Sequence, residues 1–229
     1  MIIGINGKIG SGKDTIGEII QGLCLTNKNQ TFEIKKFAGK LKQIGSILTG
    51  IPVEKFEDQE FKKTFLSKEW NSPYNIPFSG PDFVKHDGEM TVREFLQKLG
   101  TEAMRDGLHT NVWVNALFAD YNATGYNYTG CENKVIQGEW EYPNWIITDM
   151  RFPNEMEAVV ERKGITIRVV RPHGYTNPHT GEYKEMPLSY HASETSLDDS
   201  KFDYEILNDG SIEDLVEKVR EILTKENII

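Results

Sequence analysis

With 229 residues, 38% of them hydrophobic, the chain is long enough for one compact domain of the larger single-core kind, or for a domain with insertions. Its 26 Lys and Arg against 35 Asp and Glu give a formal charge of −9, so counterion release on DNA or RNA gains little and no direct nucleic-acid partner is expected. Nothing approaches the run of about eighteen apolar residues that crosses a membrane, so no membrane partner is expected either.

The start, Met1-Ile2-Ile3-Gly4-Ile5-Asn6, lacks the basic segment and cleavage pattern of a signal peptide. Cys24 and Cys131 match neither a metal spacing nor a disulfide framework, and reduced thiols in a cytoplasmic protein are expected. The lysine-rich stretch from Lys55 to Lys68 is diluted by Glu54, Glu57, Asp58, Glu60 and Glu69 and reads as a solvated face.

In chain order, Ile2 to Asn6 reads as a short buried parallel strand. Ile16, Ile19, Ile20 and Leu23 recur at helical spacing and predict an amphipathic helix over 13–25. Thr31 to Phe37 reads as a second strand. Leu41, Ile44 and Leu48 mark a helix that Gly50 and Pro52 stop. Residues 53–68 read as a more polar helix, and 70–90 as a long loop rich in Asn, Ser, Pro, Gly and Asp. Thr91 and Glu94 form a capping box ahead of Val92, Phe95, Leu96 and Leu99. A helix is expected from about Asn111 to Tyr121, and 122–143 reads as an insertion. Trp145 to Thr148 is a strand ending at Asp149. Pro153 suits the first turn of a helix that buries Met156, Val159 and Val160 and stops at Gly164. Ile165 to Val170 is a strand ended by Arg171-Pro172, and Tyr204 to Leu207 is a short last strand. Asn208-Asp209-Gly210 turns the chain. Ser211 and Asp214 cap a final helix with Ile212, Leu215, Val216, Val219, Ile222 and Leu223 inward.

Strands alternating with helices imply an α/β fold, a parallel sheet covered on both faces. The expectation is one domain over 1–229, with an inserted substrate-binding segment at about 38–121 and a lid-like mobile segment at about 172–195.

Gly7-Lys8-Ile9-Gly10-Ser11-Gly12-Lys13-Asp14-Thr15 follows a strand and opens a helix, the context a phosphate-binding loop requires. Its glycines let successive backbone N–H groups turn inward, and the helix N-terminus adds partial positive charge at the same point. Lys13 supplies a full charge for β- and γ-phosphates. Asp14 stands where such loops usually carry Ser or Thr, so the hydroxyl that normally meets Mg²⁺ is missing. Thr15, next to it, can still bond a phosphate oxygen.

Asp149 ends a hydrophobic strand, where P-loop proteins place an acid that helps hold Mg²⁺, often through water. Arg151, two residues on, offers the planar guanidinium that a phosphoryl group in transfer needs. Arg93, Gln97 and either Gly100 or Thr101 share one helix face opposite Val92, Phe95 and Leu99, and make a platform for a monophosphate and base. The five histidines show no ligand spacing.

Taken in order, these segments resemble the deoxynucleoside monophosphate kinases of bacteriophages. The likeness is carried by Gly10 to Thr15, Phe37-Ala38-Gly39-Lys40-Leu41-Lys42, Leu99-Gly100-Thr101-Glu102, Trp113-Val114 and Asp149-Met150-Arg151 with Glu155. It continues through Val169-Val170-Arg171-Pro172, His191-x-Ser193-Glu194 and Asn208-Asp209-Gly210-Ser211. The resemblance implies a P-loop, three-layer α/β/α fold with a mainly parallel sheet and inserted helical substrate-binding segments. It implies transfer of the ATP γ-phosphate to a deoxynucleoside monophosphate, in deoxynucleotide supply for DNA synthesis, in the host cytoplasm if the chain is phage-encoded.

Under that resemblance Lys13 and Arg151 are catalytic, and Gly10, Ser11, Gly12, Lys13, Asp14 and Thr15 hold ATP phosphates. Lys42, Arg93, Gly100, Thr101, Trp113, Asp149, Arg151 and Glu155 hold the acceptor. The strand-end acid Asp149 helps hold Mg²⁺; Asp14, read from its own position, meets Mg²⁺ either directly or through one of its waters, the second being favoured. The chain departs from the family at Glu94, where a second arginine is usual. Two other readings stay open: a P-loop kinase acting on another small molecule such as dephospho-coenzyme A, and an ATP-binding regulatory protein without transfer activity. Base preference, ribose selectivity and the choice between monomer and homodimer are not legible.

Overall fold

The computed structural model describes residues 1–71, 88–129, 137–172, 175–176, 183–184 and 195–229. The chain runs β1 (Ile2–Gly7), α1 (Lys13–Lys28), β2 (Phe32–Lys35), α2 (Gly39–Thr49), then short 3₁₀ turns at Val53–Glu57, Phe61–Lys63 and Lys68–Trp70. Next come α3 (Val92–Gln97), a π-helix (Lys98–Asp106), α4 (Val112–Phe118), β3 (Gly125–Thr129), β4 (Gln137–Glu141) and β5 (Asn144–Ile147). The chain continues with α5 (Pro153–Glu161), β6 (Ile165–Val170), the two-residue strands β7 (Tyr175–Thr176) and β8 (Tyr183–Lys184), β9 (Tyr204–Leu207) and α6 (Ile212–Lys225). Two compact units result: residues 1–37 with 117–229, and residues 38–116.

The first unit is built on a five-stranded parallel sheet in the order β2-β5-β1-β6-β9. Alternation along β1 divides its two faces. Ile3 and Ile5 join Ile16, Ile20, Leu215, Val219 and Leu223 in a core beneath α1 and α6. Gly4, between them, lies against Met150 and against Val159 of α5 on the opposite face. Helices therefore cover both faces, giving the three layers that an all-parallel sheet needs. Each fully buried Ile contributes roughly 1.5–3 kcal/mol of transfer free energy, before the entropy that offsets it. Cys24 is buried in this core, and burial pushes its thiol up to about 11. Cys131 lies outside the described residues.

Local readings fail here where a helix face was assigned by spacing alone. In α5 the buried residues are Glu155, Ala158 and Val159, while Val160 is exposed. In α6 Leu215, Val219, Ile222 and Leu223 point inward as expected, but Ile212 is exposed. Part of the 122–143 insertion is a hairpin, β3 antiparallel to β4, with Tyr126 and Trp140 opposite each other and edge-on at 4.8 Å. The expected lid falls mostly outside the described residues, as do 72–87 of the expected loop and 130–136 of the insertion.

The 38–116 unit is helical. The polar helix expected over 53–68 is instead the three short 3₁₀ turns. The Asp58 carboxylate accepts from the N–H groups of Glu60 (2.8 Å) and Phe61 (3.2 Å), an alternative to helical bonding that breaks the chain there. Helix α2 ends at the Gly50 cap as expected; it buries Lys42 and Gly45, with Ile44 half-buried and Leu48 exposed. Gly45 lies against Phe56, Phe95 and Leu96. Ile47 is 82% exposed. The capping box of α3 forms as expected, with Thr91 N donating to Glu94 Oε2 at 2.7 Å and Glu94 N to Thr91 Oγ1 at 3.2 Å.

Two truncations separate the faces of this unit. Phe56→Ala removes a fully buried ring and is expected to cost about 3–5 kcal/mol. Ile47→Ala is expected to stay within about 0.5 kcal/mol of the parent. Urea unfolding midpoints of the two variants check both values.

Candidate active site

All five strands of a parallel sheet end on the same edge, so the segments that follow them converge there, as in other open α/β sheets. At this edge stand the glycine loop after β1, Lys36 after β2, Thr148 and Asp149 after β5, Arg171 after β6 and Asn208 after β9.

The loop is shaped by left-handed glycines, Gly10 at φ 77° and Gly12 at φ 100°. Gly12 is the N-cap of α1 and no side chain caps the helix, so its first amide groups are left for another acceptor. Lys13 is buried, and its ammonium donates to Gly7 O at 2.6 Å and Lys8 O at 2.8 Å. The Ser11 hydroxyl is buried too, with no hydrogen-bond partner among the described residues. Two outside side chains hold loop carbonyls: Arg171 donates to Gly10 O at 3.2 Å, and Asn208 Nδ2 to Ser11 O at 2.8 Å.

Asp14 opens the first turn of α1 with its side chain 63% exposed. Its Oδ1 accepts from the buried hydroxyl of Thr148 at 2.7 Å and lies 3.2 Å from Lys36 Nζ. Burial raises its pKa, but the Thr148 bond and Lys36 together outweigh that and hold the carboxyl below its usual range. Asp149 is half-buried, and its Oδ1 accepts from Phe37 N at 2.7 Å, which ties the end of β5 to the segment after β2. Glu155 is buried in the first turn of α5. Its Oε2 accepts from the backbone N–H groups of Arg151 (2.7 Å) and Phe152 (3.1 Å), fixing the turn that presents Arg151.

The remaining sequence candidates belong to the 38–116 unit. Arg93 Nη2 donates to Gln59 Oε1 at 3.0 Å, and Lys42 is buried with its ammonium 2.6 Å from Glu57 Oε1. Gly100 and Thr101 lie on the π-helix, where the i→i+5 spacing appears in the 3.0 Å bond from Gly107 N to Glu102 O. Gly100 is buried, and a Cβ there would come within 2.9 Å of Leu41. Thr101 is exposed. Trp113 is buried, and its indole N–H donates to Gly100 O at 2.8 Å, so it packs in the unit and holds the π-helix. The His191-Ser193-Glu194 motif lies outside the described residues.

A family model described as deoxynucleotide monophosphate kinase matches residues 80–219, more than half of the chain. The chain belongs to the deoxynucleotide monophosphate kinase family. The deoxynucleoside-5'-monophosphate kinase of Escherichia phage T5 is 21% identical over 247 positions, covering 91% of this chain and 89% of that protein. The deoxynucleotide monophosphate kinase of Enterobacteria phage T4 is 27% identical over 140 positions, 60% of this chain and 47% of its own length. An uncharacterized protein of Ictalurid herpesvirus 1 (strain Auburn) is 30% identical over 132 positions, covering 57% of this chain and 47% of that protein. Among solved structures, a dephospho-CoA kinase from Campylobacter jejuni aligns over 98% of this chain and 96% of its own, at 14% identity and a TM-score of 0.39.

The matched region of this kinase takes in Arg93, Gly100, Thr101, Trp113, Asp149, Arg151 and Glu155, and leaves the glycine loop and Lys42 outside it. The loop therefore stands on its own geometry. Sequence reasoning missed Lys36 and Thr148, which flank Asp14. The signal available was position: each directly follows a strand, on the edge where the loop lies.

Thr148→Val removes the hydroxyl and keeps the shape. The Asp14 carboxyl is then expected to titrate at higher pH than in the parent, followed by carboxyl-detected NMR. Because its folded-state pKa lies below the unfolded one, Asp14 adds stability above the unfolded carboxylate range and loses it as pH falls through the folded value. An unchanged titration in Thr148→Val would mean that the hydroxyl does not hold the charge.

Proposed function

We propose that the edge described above is where this kinase passes the γ-phosphate of ATP to a deoxynucleoside monophosphate, with Lys13 and Arg151 acting on the group in transfer. The observation that carries the reading is the phosphate loop itself. Left-handed glycines and an uncapped helix N-terminus meet a buried lysine on the sheet edge where Asp149 and Arg151 emerge. Lys13 exchanges its carbonyl partners, Gly7 O and Lys8 O, for β- and γ-phosphate oxygens. Gly10, Ser11, Gly12, Asp14 and Thr15 line the phosphates. Arg151 brings a planar fork to the equatorial oxygens of the moving group, and Glu155 holds the backbone that presents it.

The donor set fits Mg²⁺. No group of three His, Cys, Asp or Glu among the described residues could hold a metal. Mg²⁺ needs no such cage, because it keeps several waters and takes one or two carboxylates with substrate phosphates. Asp14, with one oxygen engaged by Thr148 and Lys36, and Asp149, with one engaged by Phe37 N, are the carboxylates for that role. When bound with ATP, Mg²⁺ neutralises charge on the β- and γ-phosphates.

In the 38–116 unit, Arg93 and Lys42 supply positive charge for the acceptor monophosphate. Thr101 supplies a hydroxyl on the exposed side of the π-helix, and Gly100 and Trp113 fix that helix. The physiological role is supply of deoxynucleotides for DNA synthesis in the cytoplasm, that of the host if the chain is phage-encoded.

Two variants divide donor from acceptor in steady-state kinetics and calorimetry. Lys13→Ala is expected to fold and to lose about a hundredfold or more in kcat. Arg93→Ala is expected to raise KM for the monophosphate and leave ATP affinity nearly unchanged. Parent-like kcat in the first, or lost ATP affinity with intact monophosphate affinity in the second, would contradict these assignments.

A further inference from the structure

We infer that Asn208 is a positioning residue that locks the phosphate loop in its anion-binding form. It follows β9 directly, and its backbone N–H donates to Val170 O at 2.7 Å, which carries the β6–β9 pairing one residue beyond the strand. The main chain of Asn208 is therefore fixed by the sheet. From that anchor its Nδ2 donates to Ser11 O at 2.8 Å, across 197 positions of sequence.

The carbonyl and the N–H of a trans peptide point in opposite directions. Holding Ser11 O toward Asn208 turns the N–H of Gly12 the other way, away from Asn208. The tether matters because of the residues on either side. Gly10 and Gly12 both have positive φ, and glycine moves between backbone regions at little steric cost. A peptide next to such residues flips readily unless one of its ends is held. Gly12 and Asn208 also touch: a Cβ on Gly12 would lie 2.6 Å from Asn208 Nδ2. The side chain must be a short neutral donor. A carboxylate in its place would face the Ser11 carbonyl and add negative charge beside bound phosphates.

This inference rests on the reading of Gly7–Thr15 as the phosphate site, and the test separates the two. Binding of ATP and of inorganic tripolyphosphate is measured by calorimetry at fixed Mg²⁺ for the parent, Asn208→Ala and the isosteric Asn208→Asp. Asn208→Ala is expected to weaken both ligands by a similar factor, about fivefold or more, and Asn208→Asp by more. KM for the monophosphate is expected to stay unchanged in both. If Asn208→Ala does not fold, Asn208→Asp carries the same comparison. Loss of ATP binding with tripolyphosphate binding retained would assign Asn208 to the base and overturn the inference. Retention of both would show that the bond to Ser11 O is only structural. A parent protein that binds neither ligand would instead overturn the phosphate-site reading beneath it.

Discussion

A loop that binds phosphate through its backbone must keep its carbonyls turned away from the anion. Under the phosphate-site reading of Gly7–Thr15, side chains from distant segments meet that constraint. Arg171 holds Gly10 O and Asn208 holds Ser11 O. Each outside donor follows a different strand, and the parallel sheet is what lets them meet. With β1 at the centre of the order β2-β5-β1-β6-β9, the loop emerges between the ends of β5 and β6. Asp149 and Arg151 lie on one side of it and Arg171 on the other.

Charge is organised the same way, locally against a global background. The chain carries a formal charge of −9, yet the phosphate site proposed at its sheet edge has to receive a polyanion. The α1 N-terminus, Lys13, Lys36, Arg151 and Arg171 supply positive potential there. The acids at the edge are committed to partners, Asp14 to Thr148 and Lys36, and Asp149 to Phe37 N. Those contacts offset part of their negative charge within the protein.

Sequence reading succeeded where chemistry is local. The glycine loop, the strand over Ile165 to Val170, the strand over Tyr204 to Leu207 and the capping boxes of α3 and α6 depend on neighbours within a few residues. It failed where packing or side-chain competition decides. Apolar spacing put Val160 of α5 and Ile212 of α6 inward, but both are exposed. An aspartate side chain broke the expected helix at Asp58, and nothing in the periodicity announced the π-helix after Gln97. For the candidate site, the motifs named Lys13, Asp149 and Arg151, which the fold brings to one sheet edge, but not the hydroxyl that holds Asp14, which lies 134 positions away. Contacts of that range become visible only when the strand order is known.

The central claim is that the loop serves transfer to a deoxynucleoside monophosphate. Its most direct test is a coupled assay of ADP release with Mg²⁺ and ATP. The four deoxynucleoside monophosphates, their ribose forms and dephospho-coenzyme A are offered in turn as acceptors. The account predicts ADP release that depends on at least one deoxynucleoside monophosphate and is absent with dephospho-coenzyme A. Turnover with dephospho-coenzyme A and none with any deoxynucleoside monophosphate, or tight ATP binding with no acceptor-dependent turnover at all, would contradict it.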